Sequence, residues 1–204
     1  MPSMDHENAL RAQGHRRIAG IDEAGRGPLA GPVSAAAVVL PVKYSHPLLN
    51  DSKKLSEKQR ATLYDEITND GSIQWHCVFI DAEEIDRINI LRATHLGMER
   101  AALGLKKKPD AVLIDGRPVR GFPLPQLALV GGDGLSFSIA AASIIAKVTR
   151  DRWMLEMAAQ YPEYGFERHK GYGTKLHLAA LRRHGPCPIH RQTFSPVAQM
   201  ELDL

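Results

Sequence analysis

Runs of apolar residues alternate with polar, glycine- and proline-marked breaks, and the length and spacing of those runs separate strands from helices. Residues 17–22 and 34–40 are short, apolar and branched, which predicts two strands joined by a Gly/Pro-rich turn over 25–32. Ser56 followed three residues later by Gln59 is a capping box, so a helix starts there and stops at Gly71. A third strand follows over 73–80. Asp81 with Glu84 repeats the cap signal and opens a helical stretch to about residue 103, with Leu91, Met98 and Ala102 on one face. Residues 111–114 and 127–130 are short buried strands that leave through Asp115-Gly116 and Gly131-Gly132-Asp133. A long helix is predicted over 136–160, and its small residues Ala140-Ala141-Ala142-Ser143 let it approach a sheet or a ligand. A last helix spans 174–184 and closes at Gly185-Pro186. Trp75 and Trp153 are assigned to core packing. A hairpin followed by alternating strands and helices gives the α/β class, a mixed sheet flanked by helices.

The 204 residues have the size of one ordinary domain, and no linker or repeat divides them. Residues 1–16 read as a flexible leader and 17–204 as a single domain. A hydrophobic content of 44% with 24% charged residues excludes wholesale disorder. No apolar run reaches the roughly 18 residues a membrane span needs, and residues 1–14 lack the apolar core of a secretion signal. Cys77 and Cys187 stand alone, which excludes a C-x-x-C redox or zinc motif and points to a reducing compartment. A cytoplasmic monomer without a membrane partner is the expectation. The net charge of +3 says little, but its distribution says more. Residues 147–191 carry nine Lys or Arg against four acids, plus four His, whereas residues 1–146 balance 17 against 17. Such a stretch is either a polyanion-binding face or a solvated helical surface.

Three predicted strand exits end in acids: Asp22-Glu23, Asp115 and Asp133. Strand ends of an open α/β sheet share one crevice. Four carboxylates gathered there cannot all stay ionised unless cations neutralise them. With no Cys/His cluster alongside, the fitting ions are hard and divalent, Mg²⁺ or Mn²⁺. Two such ions about 4 Å apart stabilise both the attacking and the leaving oxygen of phosphodiester hydrolysis. Each acid taken alone is also an ordinary turn former or N-cap. Asp22 and Glu23 would face opposite sides of a regular strand, so a shared site requires the chain to be turning already at Glu23.

The following turn contains Gly25-x-Gly27-x-x-Ala30, which fits the dinucleotide fingerprint. That motif needs a helix N-terminus after the turn. Here Pro28 and Gly31-Pro32 interrupt the segment and a strand follows, so the dinucleotide reading is excluded. Gly25 and Gly27 instead expose N–H and C=O groups to a close ligand. A group that both donates and accepts, such as the ribose 2′-OH, suits that surface.

The segment Ile21-Asp22-Glu23-Ala24-Gly25-Arg26-Gly27-Pro28-Leu29-Ala30-Gly31-Pro32-Val33 resembles the signature of ribonuclease HII, the type 2 ribonuclease H of bacteria. In register after it come Asn50-Asp51-Ser52-Lys53-Lys54-Leu55-Ser56, Leu113-Ile114-Asp115-Gly116, and the helix running from Ser138 to Asp151. Tyr164-Gly165-Phe166, His169-Lys170-Gly171-Tyr172-Gly173-Thr174 and His190-Arg191-Gln192-Thr193-Phe194 complete the pattern, and the match covers residues 17–197. The resemblance implies a ribonuclease H-like sheet with a helical C-terminal substrate-binding part. It implies an endonuclease that hydrolyses the RNA strand of RNA–DNA hybrids and cuts duplex DNA at an embedded ribonucleotide. Two divalent ions, Mn²⁺ or Mg²⁺, would leave 5′-phosphate and 3′-hydroxyl ends. By resemblance, Asp22, Glu23, Asp115 and Asp133 are the metal-binding catalytic acids. Gly25-Arg26-Gly27 is the ribonucleotide-sensing turn, and Tyr172 reads the junction. Lys53, Lys54, Ser143, Lys147, His169 and Lys170 are the candidate phosphate contacts, which hold register without reading sequence. Arg26 and the short leader separate the chain from the type HIII branch, which usually carries Lys in the turn and an added N-terminal domain. Where the family commonly shows Lys-Gly-Asp, this chain has Gly131-Gly132-Asp133.

Overall fold

A five-stranded mixed sheet runs in the order β3-β2-β1-β4-β5 in the computed structural model, which describes residues 1–200. Its strands are β1 (Ile18–Ala24), β2 (Val33–Val39), β3 (Gln74–Ile80), β4 (Ala111–Asp115) and β5 (Gln126–Leu129). The short turn after β1 makes β1, β2 and β3 antiparallel, whereas β4 and β5 run parallel to β1. The expected sheet and class are therefore present.

Helix α2 (Glu57–Asn69) opens on the predicted capping box, with Ser56 accepting from the Gln59 amide and Gln59 reaching back to Ser56. The stretch read as one helix after Asp81 is two, α3 (Ala82–Ile88) and α4 (Ile90–Leu103). Asn89 separates them in the left-handed region at φ 68°, a conformation asparagine tolerates, and its carboxamide caps α4 by accepting from Leu91 and Arg92 N–H. Leu91, in the first turn of α4, is 51% exposed, while Met98 and Ala102 further along the same helix are buried.

Helix α5 (Phe137–Gln160) lies along β1 and β2, with Ala140, Ala141, Ala142, Ile144 and Ile145 packed against Ala36, Val38, Leu63 and Ile67. The approach depends on Gly20, where a Cβ would sit 2.1 Å from the Ser138 carbonyl carbon. On the opposite face α4 packs Met98, Ala101 and Ala102 against Ala19, Ile21, Ala35 and Ala37. The remaining core gathers Phe166, Leu181 and Val197 from α6 (Phe166–His169), α7 (Lys175–His184) and α8 (Val197–Met200) around Met154 of α5. Trp75, expected in the core, is instead 37% exposed on edge strand β3, beside Tyr64. Trp153 is partly buried against Phe79. Among the described residues no helix is long and apolar enough to cross a membrane.

The segment read as a flexible leader holds α1 (Asp5–Ala12), with Glu7 and Leu10 buried. Glu7 Oε1 accepts from Ser136 Oγ and Ser138 Oγ, each at 2.6 Å, and from the Ser138 amide at 3.0 Å. A carboxylate at this point also meets the positive end of the α5 dipole. Its partners lie about 130 residues away, so no local pattern announces the contact. Glu7→Ala leaves those donors unpaired and is expected to cost about 2 kcal/mol, a fall in Tm of about 6 °C for a domain of this size. Thermal unfolding by circular dichroism checks it; an unchanged Tm would show that α1 contributes nothing to the fold.

Candidate active site

Parallel pairing brings acids from distant segments together. The β1–β4 ladder ends with Ile21 opposite Ile114, so Asp22 and Asp115 are the next residue on each strand. Asp133 follows β5 in a short 3₁₀ turn, Gly132–Gly134, tied to β4 by the Gly132 amide donating to Asp115 Oδ1 at 2.7 Å. The chain is not yet turning at Glu23, contrary to expectation: Asp22 and Glu23 both stay in register with β2, opposite Ala36 and Ala35. The two side chains therefore do face opposite ways, and the site occupies both flanks of the strand end. Asp22 and Glu23 open into a cavity of about 280 Å³ on the α5 side. Glu23 and Asp115 open into a second, of about 360 Å³, on the α4 side with Arg26, His95 and Arg117. The carboxylates form the partition between the two.

Their charges act on one another. Burial, then the Glu23 and Asp115 carboxylates, push Asp22 well above the usual carboxylate range. Burial also raises Glu23, against the pull of Arg26, whose Nη1 lies 3.4 Å from Glu23 Oε1. Asp133 is raised by burial and then by Asp51 and Asp115; its Oδ2 has no hydrogen-bond partner among the described residues and lies 3.7 Å from Lys53 Nζ. Burial disfavours the Lys53 charge, but Asp133, Asp22, Asp51 and Asp115 outweigh it and raise its pKa. Arg26 and Lys53 are two cations beside four carboxylates and Asp51. Among the described residues no three of these side chains close around a single point; Glu23 lies against Arg26, Asp133 against Lys53, and Asp115 and Asp22 accept from the Gly132 and Glu23 amides. The donor set is all oxygen, and a buried carboxylate oxygen without a partner is where a hard cation fits.

The turn after β1 reaches the cavity through Gly25, Arg26 and Gly27. Gly25 has φ +92° and a Cβ there would meet Arg150 Nε at 2.1 Å, so no other residue fits. Donor and acceptor groups were both expected to face the ligand. The carbonyls of Gly25 and Arg26 instead point inward, accepting from Arg191 Nη2 at 2.5 Å and Nη1 at 2.8 Å. The Arg26 and Gly27 amides find no acceptor within the described protein. Arg191 also donates to Gly31 O, and Arg150 donates to Ala30, Pro32 and Lys170 carbonyls. Both guanidiniums are buried, and burial followed by the Arg150 charge brings Arg191 down to about 9.

Both arginines lie inside the quoted motifs, yet no local pattern assigns them to the site. The same holds for Asp51, which abuts Asp133, and for Arg60, which lines the first cavity and donates to Ser52 O at 2.8 Å. Membership of the quoted motif was the available signal for Asp51.

The other predicted residues divide. Ser143 and Lys147 project from α5 into the first cavity. Ser143 Oγ is 2.7 Å from Ser52 Oγ and, beside Asp22, favours its carboxylate form, while Lys147 pairs with Asp151 at 2.7 Å. Lys53 lines the same cavity, and Tyr172 is 44% exposed at its rim, close to Gly27. Lys54 lies outside the cavity lining, near Gly134. Lys170 is half-buried, and its Nζ donates to Glu167 O. His169 is beneath the surface: it is 7% exposed, bonded to Tyr164 O and the Gly171 amide, and stacked on His177. It supports the Tyr172 loop from below and is not placed to meet a phosphate.

That support continues in a relay whose tautomers follow from its donors. The Cys187 amide donates to His190 Nδ1 at 2.9 Å, so a neutral His190 carries its proton on Nε2. It donates to His177 Nε2 at 2.9 Å, and His177 Nδ1–H donates to Tyr172 O at 3.0 Å. Burial first, together with the neighbouring rings, brings His177 and His190 each down to about 4.

A family model described as Ribonuclease HII matches residues 19–197. The chain is 59% identical to a ribonuclease HII of Endomicrobium trichonymphae, over 91% of its own length and 88% of the relative's. It is 53% identical to one of Desulfitobacterium hafniense, over 97% and 75%. Its fold is similar to the crystal structure of ribonuclease H2 from Pyrococcus horikoshii OT3, with a TM-score of 0.75 at 26% identity, covering 92% of this chain and 98% of that one.

Proposed function

This chain belongs to the ribonuclease HII family and is a metal-dependent ribonuclease H, and from that premise we propose that it cuts the RNA strand of RNA–DNA hybrids and also duplex DNA beside an embedded ribonucleotide. The observation that carries the reading is the adjacency of Asp22 and Asp115 at the β1–β4 strand ends, with Glu23 and the bare amides of Arg26 and Gly27 beside them. Asp22, Glu23, Asp115 and Asp133 would hold two divalent ions, Mg²⁺ or Mn²⁺. When bound, the ions supply Lewis acidity at the scissile phosphate and a nucleophile at neutral pH. The protein's own residues orient and exclude. Arg26 and Gly27 amides meet the ribose 2′ oxygen as donors, and Tyr172 lies against the sugar at the junction. Lys53, Lys147 and Ser143 face backbone phosphate, with Lys54 and Lys170 flanking. Gly131, where relatives commonly have Lys, leaves Lys53 as the cation nearest Asp133.

The reading includes 5′-phosphate and 3′-hydroxyl ends, a single catalytic domain into which α1 is packed, and a monomer working in the reducing cytoplasm, consistent with two free cysteines. Incubation with matched DNA duplexes, one carrying a single ribonucleotide, tests it. With Mg²⁺ or Mn²⁺ only the ribonucleotide-containing duplex should be cut, at one mapped bond, and a chelator should stop the reaction. Equal cutting of both duplexes would remove the 2′-OH from the account, and full activity in chelator would remove the ions.

A further inference from the structure

We propose that Arg191 and Arg150 are positioning residues that give the enzyme its discrimination between ribose and deoxyribose. The proposal rests on the ribonucleotide-reading role given above to the Gly25-Arg26-Gly27 turn, and it names what aims that turn.

Within a planar trans peptide the C=O and the following N–H point in opposite directions. Arg191 draws the carbonyls of Gly25 and Arg26 inward. The next amides, those of Arg26 and Gly27, must therefore point outward, and neither has an acceptor among the described residues. The donors offered to a 2′ oxygen are thus set by a guanidinium on the far side of the peptide planes. Arg150 ties the other half of the device. One guanidinium bonds Ala30 and Pro32 in the turn and Lys170 in the loop that carries Tyr172, and its Cζ lies 6.0 Å from the Tyr172 ring centroid. The spacing between the 2′-OH reader and the junction reader is therefore held by Arg150 together with the Leu29 amide, which donates to Gly171 O at 2.8 Å.

The chemistry of the pair argues for function over packing. Arg150 is 1% exposed and Arg191 is fully buried, and neither forms an ion pair among the described residues. Burying two like charges without a carboxylate is costly, and uncharged side chains of similar volume would fill the space. Only a planar fork of several donors gathers carbonyls from three peptides at once; lysine offers a point charge in place of the fork.

The test uses the cleavage-inactive Asp115→Asn protein as host and measures its affinity for duplex DNA with and without one ribonucleotide. The host should prefer the ribonucleotide duplex. Adding Arg191→Lys should reduce that preference about tenfold, the effect of losing hydrogen bonds to a charged donor, with affinity for all-DNA duplex changed less than about twofold. A preference that survives Arg191→Lys overturns the proposal. A host with no preference would refute the turn's reading role and leave the arginine question without a premise, so the two failures are distinct. In the otherwise wild-type enzyme, Arg150→Lys should add cuts at bonds next to the one normally cleaved. A single unchanged cut position overturns its part. Where a lysine variant does not fold, the uncharged and similarly sized Arg→Met variant at that position takes its place under the same criteria.

Discussion

Asp115→Asn should reduce hybrid cleavage by about a thousandfold or more while the protein still folds and binds hybrid. The expectation comes from position. Asp115 borders Asp22 across the β1–β4 ladder, contributes to the raised pKa values of Asp22, Glu23 and Asp133, and lines the second cavity with Glu23. Asparagine keeps the side-chain shape and an oxygen for the Gly132 amide, so the local turn survives. What it removes is negative charge and one hard ligand. Loss of several kcal/mol of charge stabilisation in the transition state amounts to three or more decades of rate. Initial cleavage rates and equilibrium hybrid binding, measured on the same preparation, decide the matter. Wild-type turnover by the variant would refute the ligand role, and lost binding with normal secondary structure would move Asp115 into substrate recognition.

The second large effect is on stability in acid. His177 and His190 titrate near 4 in the folded chain and near 6.5 when unfolded. A ring kept neutral by folding leaves the unfolded state holding more protons below 6.5. Stability is therefore full above that pH and falls as pH drops from 6.5 towards 4, by up to about 3 kcal/mol for each ring. Asp22 and Glu23 work the other way. Their folded values are raised, so the folded state binds protons first and gains stability as pH falls. Denaturant unfolding at pH 7, 5.5 and 4.5 for wild type and His190→Asn separates the two contributions, since the variant keeps both carboxylates. Wild type should lose about 2 to 3 kcal/mol more than the variant across that range. Parallel pH profiles would show that the relay is already protonated or open in the folded protein.

Much of this molecule is legible from local signals. The capping box at Ser56, the Asp81 cap, the strand exits and the small-residue stretch of α5 each depend on neighbours within a few positions, and each lies where the pattern placed it. The strand-end placement of Asp22 beside Asp115 was legible because strand ends in an α/β sheet converge. What stayed hidden was built from contacts between distant segments. Arg191 reaches carbonyls some 160 residues away, Glu7 meets α5 across 129, and the histidine relay joins α7 to two loops with no repeating interval. Buried charge has no periodicity, so Arg150 and Arg191 read as ordinary surface cations in a basic stretch. The condition that the chain turn at Glu23 failed for another reason: alternation along a strand was taken as an obstacle, whereas the site uses both flanks of the strand end.

Helix α5 carries a final consequence. Ser143, Lys147 and Arg150 stand four and then three positions apart, so they share one face of a single rod. One meets the acids, one the cavity wall, and one the underside of the glycine turn. A rod pinned at its start by Glu7 and along its middle by the sheet gives these contacts no means of loosening one at a time. Heating should therefore extinguish catalysis and helical ellipticity at the same temperature, with no range in which a dead enzyme still looks folded.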